Sequence, residues 1–323
     1  MIDGALPYLR CPVCRRALGR AGRALRCAGG HSFDMARQGY ADLTAGRMPH
    51  VGDTAEMVAD RADFLAAGHY DFIADALADA AENAVAVIDA AKETEAEAEA
   101  AADAAAAAAE NAEALADAAK NTEAPAMAAG MAAPATRDGL VVDAGTGTGH
   151  YLRRVLDAIP GAAGLGLDVS KPALRRAARC HPRAAAVLAD LWRPLPIADR
   201  SADVLLNVFA PRNGPEFHRI LRSDGVLLVV TPTADHLREL IEAHGLIHVD
   251  PDKTARVGTA LGDHFRPDGA VTLRRKLMLT PTEARTLIGM TPSAHHVPAA
   301  GPTGPGEPTT VTAAVDLTVY RPA

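Results

Sequence analysis

The stretch Leu140-Val141-Val142-Asp143-Ala144-Gly145-Thr146-Gly147-Thr148-Gly149-His150 decides the fold expected for this chain. A short apolar run ends in an acid and is followed by three glycines on alternate positions. Apolar runs of this length are typical of buried strands, and clustered glycines mark turns. The pattern therefore predicts a strand, a tight turn and the start of a helix.

The spacing of the glycines indicates which ligand the turn binds. Glycine is needed where a side chain would hold a ligand away from the backbone, and the following helix offers unpaired N–H groups. Dinucleotide sites prefer G-x-G-x-x-G, whereas G-x-G-x-G directly after an acid is the pattern of S-adenosylmethionine-dependent methyltransferases. Asp143, Gly145, Gly147 and Gly149 are therefore candidate cofactor-binding residues. A purely structural strand-turn-helix is the alternative explanation.

The region after this turn alternates strands with helices. Apolar runs predict further strands at 163–168, 185–190, 202–210 and 225–231, and two later runs, 271–279 and 311–320, extend the sheet. Helical connections are predicted at 172–180 and 215–222. The fold class is therefore α/β, a Rossmann-like class I methyltransferase with a doubly wound sheet.

Polar residues follow the predicted strands, and ligands of such sheets bind where strands end. Asp168 ends the second strand, nineteen positions after Gly149, where a carboxylate can accept both ribose hydroxyls. Asp190 ends the third strand and is expected to meet the adenine amino group. The stretch Asn207 to Pro211 ends the fourth strand and is expected to face the place where the methyl group leaves. A single acid of this kind also occurs as a helix cap, but the agreement of three strand ends favours a nucleotide ligand.

A metal site is predicted at the N-terminus. Cys11, Cys14, Cys27 and His31 follow the spacing C-x2-C-x12-C-x3-H. Three thiolates and an imidazole complete a tetrahedral zinc site and leave no position for water, so the site is expected to be structural. Too few apolar residues surround it to fold this segment otherwise, so metal binding would supply folding free energy.

The charge of the chain is unevenly distributed. Twelve acids and two lysines lie between Asp79 and Glu123, and since the whole chain carries −7, the remainder carries +3. Eight arginines crowd the zinc segment, and they are a footprint for phosphate groups. These arginines are Arg10, Arg15, Arg16, Arg20, Arg23, Arg26, Arg37 and Arg47. A solvated arginine-rich surface is the alternative.

Composition divides the chain into four parts. Residues 1–48 are expected to form a zinc-binding RNA-recognition module, and 49–78 a linking helix with Asp53 as its N-cap. Residues 79–136 form an Ala/Glu-rich low-complexity insertion, predicted to be a solvent-facing helix or a fluctuating segment. Residues 137–323 form the methyltransferase domain. No apolar run is long enough to cross a membrane and no signal peptide precedes the module, so a cytoplasmic protein is expected.

Several further motifs accompany these signatures and together suggest a family. They are His31-Ser-Phe-Asp-Met-Ala-Arg-Gln-Gly-Tyr40, Gly52-Asp-Thr-Ala-Glu-Met57, Phe64-Leu-Ala-Ala-Gly-His-Tyr70, Gly166-Leu-Asp-Val-Ser-Lys171 and Met290-Thr-Pro292. With them, the chain resembles the RlmA-type 23S rRNA guanine-N1 methyltransferases, including the tylosin- and macrolide-resistance enzymes of actinomycetes. The resemblance covers nearly everything except the alanine-rich insertion and the tail.

The resemblance implies a substrate, partners and further site residues. The substrate is an rRNA hairpin near the peptide exit tunnel, held in a cleft between the zinc modules of a homodimer. One structural zinc and S-adenosylmethionine are the implied cofactors. The implied cofactor contacts, besides those above, are Tyr70, His150, Tyr151, Leu152 and His236.

The catalytic residues stay open at this stage. Guanine N1 carries a proton that must leave, and Asp190 and Asn207 are weak candidates to receive or share it. Two other functions also stay open: a small-molecule methyltransferase with a zinc lid, and a zinc-ribbon RNA-binding protein with a vestigial cofactor site. The arginine-rich module disfavours the first, and the intact acids and glycines disfavour the second.

Overall fold

The computed structural model describes residues 2–46, 50, 52–118, 139–247, 253–291 and 306–323. Nine α-helices, one 3-10 turn and eleven strands lie within these residues. In chain order they are α1 (Ile2–Ala5), the 3-10 turn (Leu6–Tyr8), β1 (Leu18–Ala21), β2 (Ala24–Cys27), β3 (Ser32–Asp34), β4 (Ala41–Asp42), α2 (Ala55–Ala66), α3 (Asp71–Ala118), β5 (Leu140–Ala144), α4 (His150–Ala158), β6 (Ala163–Asp168), α5 (Lys171–Ala177), β7 (Ala184–Leu188), β8 (Ala202–Val208), α6 (Gly214–Ile220), β9 (Leu221–Pro232), α7 (Arg238–His244), α8 (Lys253–Leu261), β10 (Phe265–Leu279), α9 (Pro281–Gly289) and β11 (Thr309–Pro322).

The larger sheet has eight strands in the order β10-β11-β9-β8-β5-β6-β7-β4. Strands β4 to β9 pair in parallel, whereas β11 and β10 add an antiparallel end. The chain proceeds from β5 to β6 on one side and later returns to β8 on the other. This reversal places a topological switch point, where ligands bind, at the carboxyl end of β5. The predicted doubly wound α/β fold is confirmed.

Two strands end earlier in the structure than predicted from the sequence. The third strand ends at Leu188, so Asp190 lies two residues beyond it on the following turn. The fourth ends at Val208 because Phe209 has a φ of 54°, which an extended strand does not allow. Asp190 and Asn207 still lie at the carboxyl edge of the sheet.

Apolar side chains cover both faces of this sheet. One face packs against α2, α3, α4 and α9, through residues such as Phe64, Ile73 and Leu287. The other packs against α6, α8 and the N-terminal module, whose Leu25 is fully buried there. Strands covered on both sides are nearly continuous apolar runs, which is why β5 and β8 are buried along their whole length.

The N-terminal module joins the larger sheet directly. Its own sheet contains β1, β2 and β3 in antiparallel pairs. The next strand, β4, leaves this small sheet and pairs in parallel with β7 at the edge of the large one. The predicted boundary at residue 48 therefore separates two parts of one packed structure.

The predicted N-cap of the linking helix is wrong by one residue. Thr54, not Asp53, precedes α2, and its hydroxyl accepts a hydrogen bond from the Met57 N–H at 3.3 Å. Asp53 instead forms an ion pair with Arg61, 2.8 Å away. Aspartate and threonine are both good caps, so composition alone does not separate neighbouring candidates.

The linking segment is two helices, and the second continues into the alanine-rich segment. Helix α3 is 48 residues long and passes residue 79 without a break. Ala81, Ala84 and Ile88 are at most 6% exposed, so one face of its first turns past that residue is buried in the core, whereas the prediction was a solvent-facing helix or a fluctuating segment. From Glu93 to Glu99 the helix is exposed, as predicted.

Some predicted features fall outside the described residues. They include the rest of the alanine-rich insertion, from 119 to 136, and most of the Pro-rich segment before β11. Among the helices that the structure describes, none combines the length and apolar character needed to cross a bilayer.

Replacing Ile88 tests whether the first turns of the alanine-rich segment belong to the core. Ile88 is 3% exposed and lines a small cavity with Leu140 and Ile159, so Ile88→Ala should cost about 2–4 kcal/mol of unfolding free energy. The neighbouring Val87 is 59% exposed, and Val87→Ala should cost less than about 0.5 kcal/mol. Urea unfolding of the zinc-loaded protein measures both. Equal costs would contradict this packing.

Candidate cofactor site and zinc centre

The glycine turn after β5 has no room for side chains. Gly145, Gly147 and Gly149 have φ values of 88°, 54° and 82°, a region that L-residues with side chains rarely adopt. A Cβ on Gly145 would collide with Ala210, and one on Gly149 would lie 2.7 Å from the Cys180 sulfur. All three glycines are therefore required by their backbone conformation. Gly145 and Gly149 are also required because Ala210 and Cys180 of the same chain approach them closely.

Asp168 holds the turn in place. Its Oδ2 accepts a hydrogen bond from the Gly147 N–H at 2.8 Å, and its Oδ1 accepts one from the Ser170 N–H at 2.8 Å. Burial raises the pKa of Asp168, and these two N–H groups oppose the rise. Each carboxylate oxygen keeps a second lone pair, so the group can still accept hydrogen bonds from ribose hydroxyls.

Asp143 lies beneath the turn and is 1% exposed. Its Oδ2 accepts a hydrogen bond from the Thr146 hydroxyl at 2.8 Å. Burial raises the pKa of Asp143 to about 7; the Thr146 hydrogen bond opposes this rise and the nearby Asp168 adds to it. The charged form is therefore costly until a cation or donor approaches.

Asp190 and Asn207 place two more buried oxygens at this edge. Oδ1 of Asp190 accepts a hydrogen bond from the Trp192 N–H at 3.0 Å. The amide nitrogen of Asn207 donates to the carbonyl oxygens of Ala144 and Pro211, at 3.2 and 2.9 Å. These bonds fix the side chain and leave its oxygen as the acceptor.

The residues present fit an adenosyl cofactor. Within the described part of the chain, Asp143 Oδ1, Asp190 Oδ2 and Asn207 Oδ1 are buried and have no hydrogen-bond partner. Asp190 Oδ2 has an ion-pair partner, Arg193 Nε, at 3.7 Å. Buried polar atoms are normally satisfied, so the oxygens of Asp143 and Asn207 beside the glycine turn indicate a ligand that brings donors. An amino group, ribose hydroxyls and an adenine amino group are donors of this kind.

Tyr70 and His236 meet on the β9 side of the site. Ala314 N–H donates to His236 Nδ1 at 3.2 Å, so the ring proton is assigned to Nε2, which donates to the Tyr70 hydroxyl oxygen at 3.2 Å. Both side chains are buried, and burial raises the pKa of Tyr70 well above its ordinary value. The tyrosine stays neutral, and the roles of both residues as cofactor contacts stay predictions.

The three residues that follow the glycines have different environments. The His150 ring lies edge-on to the Tyr151 ring, and its Nε2 lies 3.7 Å from Asp71. Burial lowers the pKa of His150, so the ring is neutral near pH 7. Leu152 is fully buried in the core, so only its backbone can face a ligand. Their roles as cofactor contacts stay predictions.

The Cys180 side chain packs against the glycine turn at Gly149. Burial raises the pKa of its thiol to about 12, so it is a neutral packing group rather than a nucleophile.

Two side chains of the site were not singled out by sequence reasoning. Phe209 lies directly after β8, is 39% exposed, and its ring centroid is 5.8 Å from that of His236 and 6.3 Å from that of Tyr70. Its φ of 54° marks local strain, which is common at functional sites. Arg61 reaches the glycine turn from α2. An aromatic residue next to Asn207 was a usable signal for Phe209, whereas a single arginine on an amphipathic helix gives none.

The zinc ligands converge as predicted. The ligand atoms of Cys11, Cys14, Cys27 and His31 all lie within 4.8 Å of one another. Adjacent atoms are 3.4 to 3.6 Å apart, and the histidine ligand atom is Nδ1. A zinc tetrahedron with bonds of ordinary length has edges of about 3.6–3.8 Å. The donor set therefore fits one structural zinc, with every coordination position filled by the protein.

The zinc module is docked beside the cofactor site. Leu9 pairs with Ile197 as an antiparallel bridge, and Arg10 N–H donates to the Pro196 carbonyl at 2.9 Å. The Arg15 guanidinium donates to the carbonyls of Leu195 and Ile197, at 2.6 and 3.0 Å. This docking segment begins a few residues after Asp190, so the two sites belong to one packed unit.

The fold, the glycine turn and the zinc centre together define an S-adenosylmethionine-dependent methyltransferase with a structural zinc ribbon. Comparison with known proteins agrees with this class. Residues 9–45 match the family model described as "RlmA, N-terminal", and residues 141–225 match one described as "Methyltransferase domain".

Three relatives carry the same printed activity. A putative 23S rRNA (guanine-N(1)-)-methyltransferase of Micromonospora griseorubida is 52% identical, covering 98% of each chain. The 23S rRNA (guanine(748)-N(1))-methyltransferase of Streptomyces fradiae is 42% identical, covering 92% of this chain and 89% of the relative. A putative enzyme of the same activity from Bacillus subtilis (strain 168) is 33% identical over 49% of this chain and 57% of its own. The chain belongs to the family of RlmA-type 23S rRNA (guanine-N1)-methyltransferases.

The ionisation of Asp143 predicts how the stability of the ligand-free protein depends on pH. Because the folded-state pKa is raised to about 7, the protonated carboxyl favours the folded state, and this contribution is lost as pH rises toward 7. Asp143→Asn mimics the neutral form. Its stability relative to wild type should therefore increase from pH 5 to 7, by at most about 1.4 kcal/mol per pH unit, and level off above.

Urea unfolding of zinc-loaded protein across pH 5 to 8 measures this difference. Glu97→Gln, which removes an exposed carboxylate on α3, is the control for the loss of one charge. A difference between Asp143→Asn and wild type that does not change with pH would contradict the assignment of a raised pKa.

Proposed function

We propose that this chain transfers a methyl group from S-adenosylmethionine to N1 of a guanine in a 23S rRNA hairpin near the peptide exit tunnel. The observation that carries the proposal is the docking of the zinc ribbon, through Arg15, onto the segment that follows Asp190. This docking joins an arginine-rich module to the edge of the sheet where the cofactor is proposed to bind. Buried oxygens without a hydrogen-bond partner lie at that edge. In this proposal residues 1–48 recognise the RNA and 137–323 carry out the transfer.

The cofactor-binding roles are proposed from the positions of the acids. Asp168 accepts the ribose hydroxyls, and Asp190 accepts the adenine amino group through its unsatisfied Oδ2. Asp143 Oδ1 faces the amino group of the methionine part. When bound, S-adenosylmethionine supplies an electrophilic methyl group on a sulfonium and leaves as the neutral thioether.

The target base is proposed to enter beside Phe209. N1 lies on the pairing edge of guanine, so the base must leave its stack to be methylated. The half-exposed Phe209 ring, held next to Tyr70 and His236, offers a face on which the base can stack. This role gives a reason for the strained backbone of a residue that would otherwise extend β8.

Asn207 is proposed to position the reacting nitrogen. Its amide nitrogen is held by two carbonyls, which directs the unsatisfied Oδ1 as a hydrogen-bond acceptor. An amide does not retain a proton, so Asn207 orients the N1–H bond. The N1 proton passes to water as the new nitrogen–carbon bond forms. Orientation of this kind supplies a large part of a rate enhancement.

The family resemblance supports three further proposals. The chain acts as a homodimer, with the hairpin held between the zinc modules of two copies. It works in the cytoplasm, where ribosomal RNA is available. Methylation protects the ribosome from macrolides. Because the Streptomyces fradiae relative is named for guanine 748, we also take the equivalent guanine as the target.

Primer extension tests the proposed reaction. An N1-methylguanine blocks the pairing edge, so 23S rRNA from a strain without such an enzyme should acquire a reverse-transcriptase stop next to the guanine equivalent to 748. The stop should require both the purified protein and S-adenosylmethionine. A failure to produce any stop, or a stop at a different base, would contradict the proposal.

Phe209 variants provide the internal control of this experiment. Base–aromatic stacking is worth about 1–3 kcal/mol, so Phe209→Ala should weaken the stop about 10- to 100-fold. Phe209→Tyr retains the ring face and should keep most of it. Both variants should bind S-adenosylhomocysteine as wild type does, because Phe209 is assigned to the base and not to the cofactor.

A further inference from the structure

A segment from the linking region crosses the whole carboxyl edge of the sheet. We call residues 50 and 52–61 the strap. At one end His50 Nε2 lies 3.9 Å from Asp190 Oδ2. In the middle the Ser170 hydroxyl donates to the Asp53 carbonyl at 2.8 Å. At the other end the strap reaches the glycine turn through Arg61. It therefore contacts the adenine, ribose and methionine ends of the proposed cofactor site in order.

The middle of the strap fits closely against the sheet. A Cβ on Gly52 would lie 2.7 Å from the Ser170 backbone nitrogen, the same N–H that donates to Asp168. The strap therefore contacts the backbone that orients the ribose-binding carboxylate. Its position relative to the glycine turn is fixed by these contacts.

Arg61 is held rigidly at the turn. Its Nη2 donates to the Met290 carbonyl at 2.9 Å and forms the ion pair with Asp53 at 2.8 Å. Its Nη1 has no partner among the described residues, and it lies 3.2 Å from the position that a Cβ on Gly147 would occupy. One nitrogen thus fixes the guanidinium while the other faces the backbone of the turn.

The surrounding charges explain why a cation is needed here. Three carboxylates, those of Asp53, Asp143 and Asp168, lie around the turn and would repel an anionic ligand. Burial raises the pKa of Asp168, and Arg61 is one of the groups that oppose this rise. Burial likewise raises the pKa of Tyr151, again opposed by Arg61. The positive charge of Arg61 therefore acts on the part of the site nearest the glycines.

We propose that Arg61 binds the carboxylate of the methionine part of the cofactor. Adenine and ribose offer no anionic group, whereas the amino-acid end carries a carboxylate beside its ammonium. Arginine Nη1 has two hydrogens and suits a carboxylate oxygen. Asp143 then faces the ammonium and Arg61 the carboxylate, so the zwitterion is recognised by two opposite charges. The inference rests on the cofactor of the proposed function and not on its RNA.

Two ligands separate this role from a structural one. S-Adenosylhomocysteine contains the amino-acid end, whereas 5′-methylthioadenosine lacks it. Arg61→Met should weaken binding of S-adenosylhomocysteine about 10- to 100-fold and change binding of 5′-methylthioadenosine less than about twofold. Calorimetry on the zinc-loaded full chain measures both. Equal losses for the two ligands, or no loss for either, would overturn the proposal.

Arg321→Met is the matched control. Like Arg61, Arg321 combines an ion pair, with Asp268 at 3.2 Å, and a hydrogen bond to a backbone carbonyl, that of Asp224 at 3.0 Å, and it lies on the antiparallel end of the sheet. Its replacement removes an arginine–carboxylate pair of the same kind and should leave binding of both ligands unchanged. Zinc content and the midpoint of thermal unfolding are recorded for each variant.

A ligand-side measurement keeps the proposal testable if Arg61→Met does not fold. Decarboxylated S-adenosylhomocysteine retains the amine and loses only the carboxylate. Wild-type protein should bind it about 10- to 100-fold more weakly than S-adenosylhomocysteine, and Arg61→Lys should show a smaller ratio. Equal affinity of wild type for the two ligands would overturn the proposal. Failure of wild type to bind S-adenosylhomocysteine at all would instead contradict the cofactor assignment.

Discussion

The structure depends on a turn in which side chains have no space. After β5 the backbone passes so close to its neighbours that a Cβ on Gly145 would meet Ala210, and one on Gly149 would meet Cys180. The same turn is fixed by the hydrogen bond from Gly147 N–H to Asp168. The carboxyl ends of β5, β6 and β8 are thereby brought together. Asp143, Asp168 and Asn207 lie at these ends, where we propose that they face one ligand.

The zinc ribbon is in direct contact with the part of the chain that carries the glycine turn. Arg15 from the ribbon and Arg219 from α6 donate to the same two carbonyls, those of Leu195 and Ile197. Arg15 does so from a backbone with a φ of 62°, a conformation that costs energy for arginine. Since zinc closes the loop that carries Arg15, the metal stabilises the docking as well as the ribbon. The module proposed to recognise RNA and the proposed cofactor site are thus joined by direct contacts.

Much of the fold and of the candidate site could be predicted from local sequence, and the rest depends on contacts between residues that are far apart in the chain. The zinc ligands and the glycine turn were predictable because each has a spacing dictated by its own chemistry. The N-cap of α2 was misplaced because Asp53 and Thr54 are both competent caps, and Asp53 instead pairs with Arg61 on the same helix. The burial of Ala81, Ala84 and Ile88 was missed because alanine packs closely without producing an apolar stripe. Arg61 was not predictable, since its partner carbonyl, that of Met290, is 229 positions away.

A crystal structure of the zinc-loaded protein with S-adenosylhomocysteine tests the central claim most directly. The account predicts that both ribose hydroxyls lie within hydrogen-bond distance of the Asp168 carboxylate, with the glycine turn against the thioether chain. The strap should cover the ligand along its length. A ribose bound away from Asp168, or a ligand that leaves the glycine turn without contact, would contradict the account.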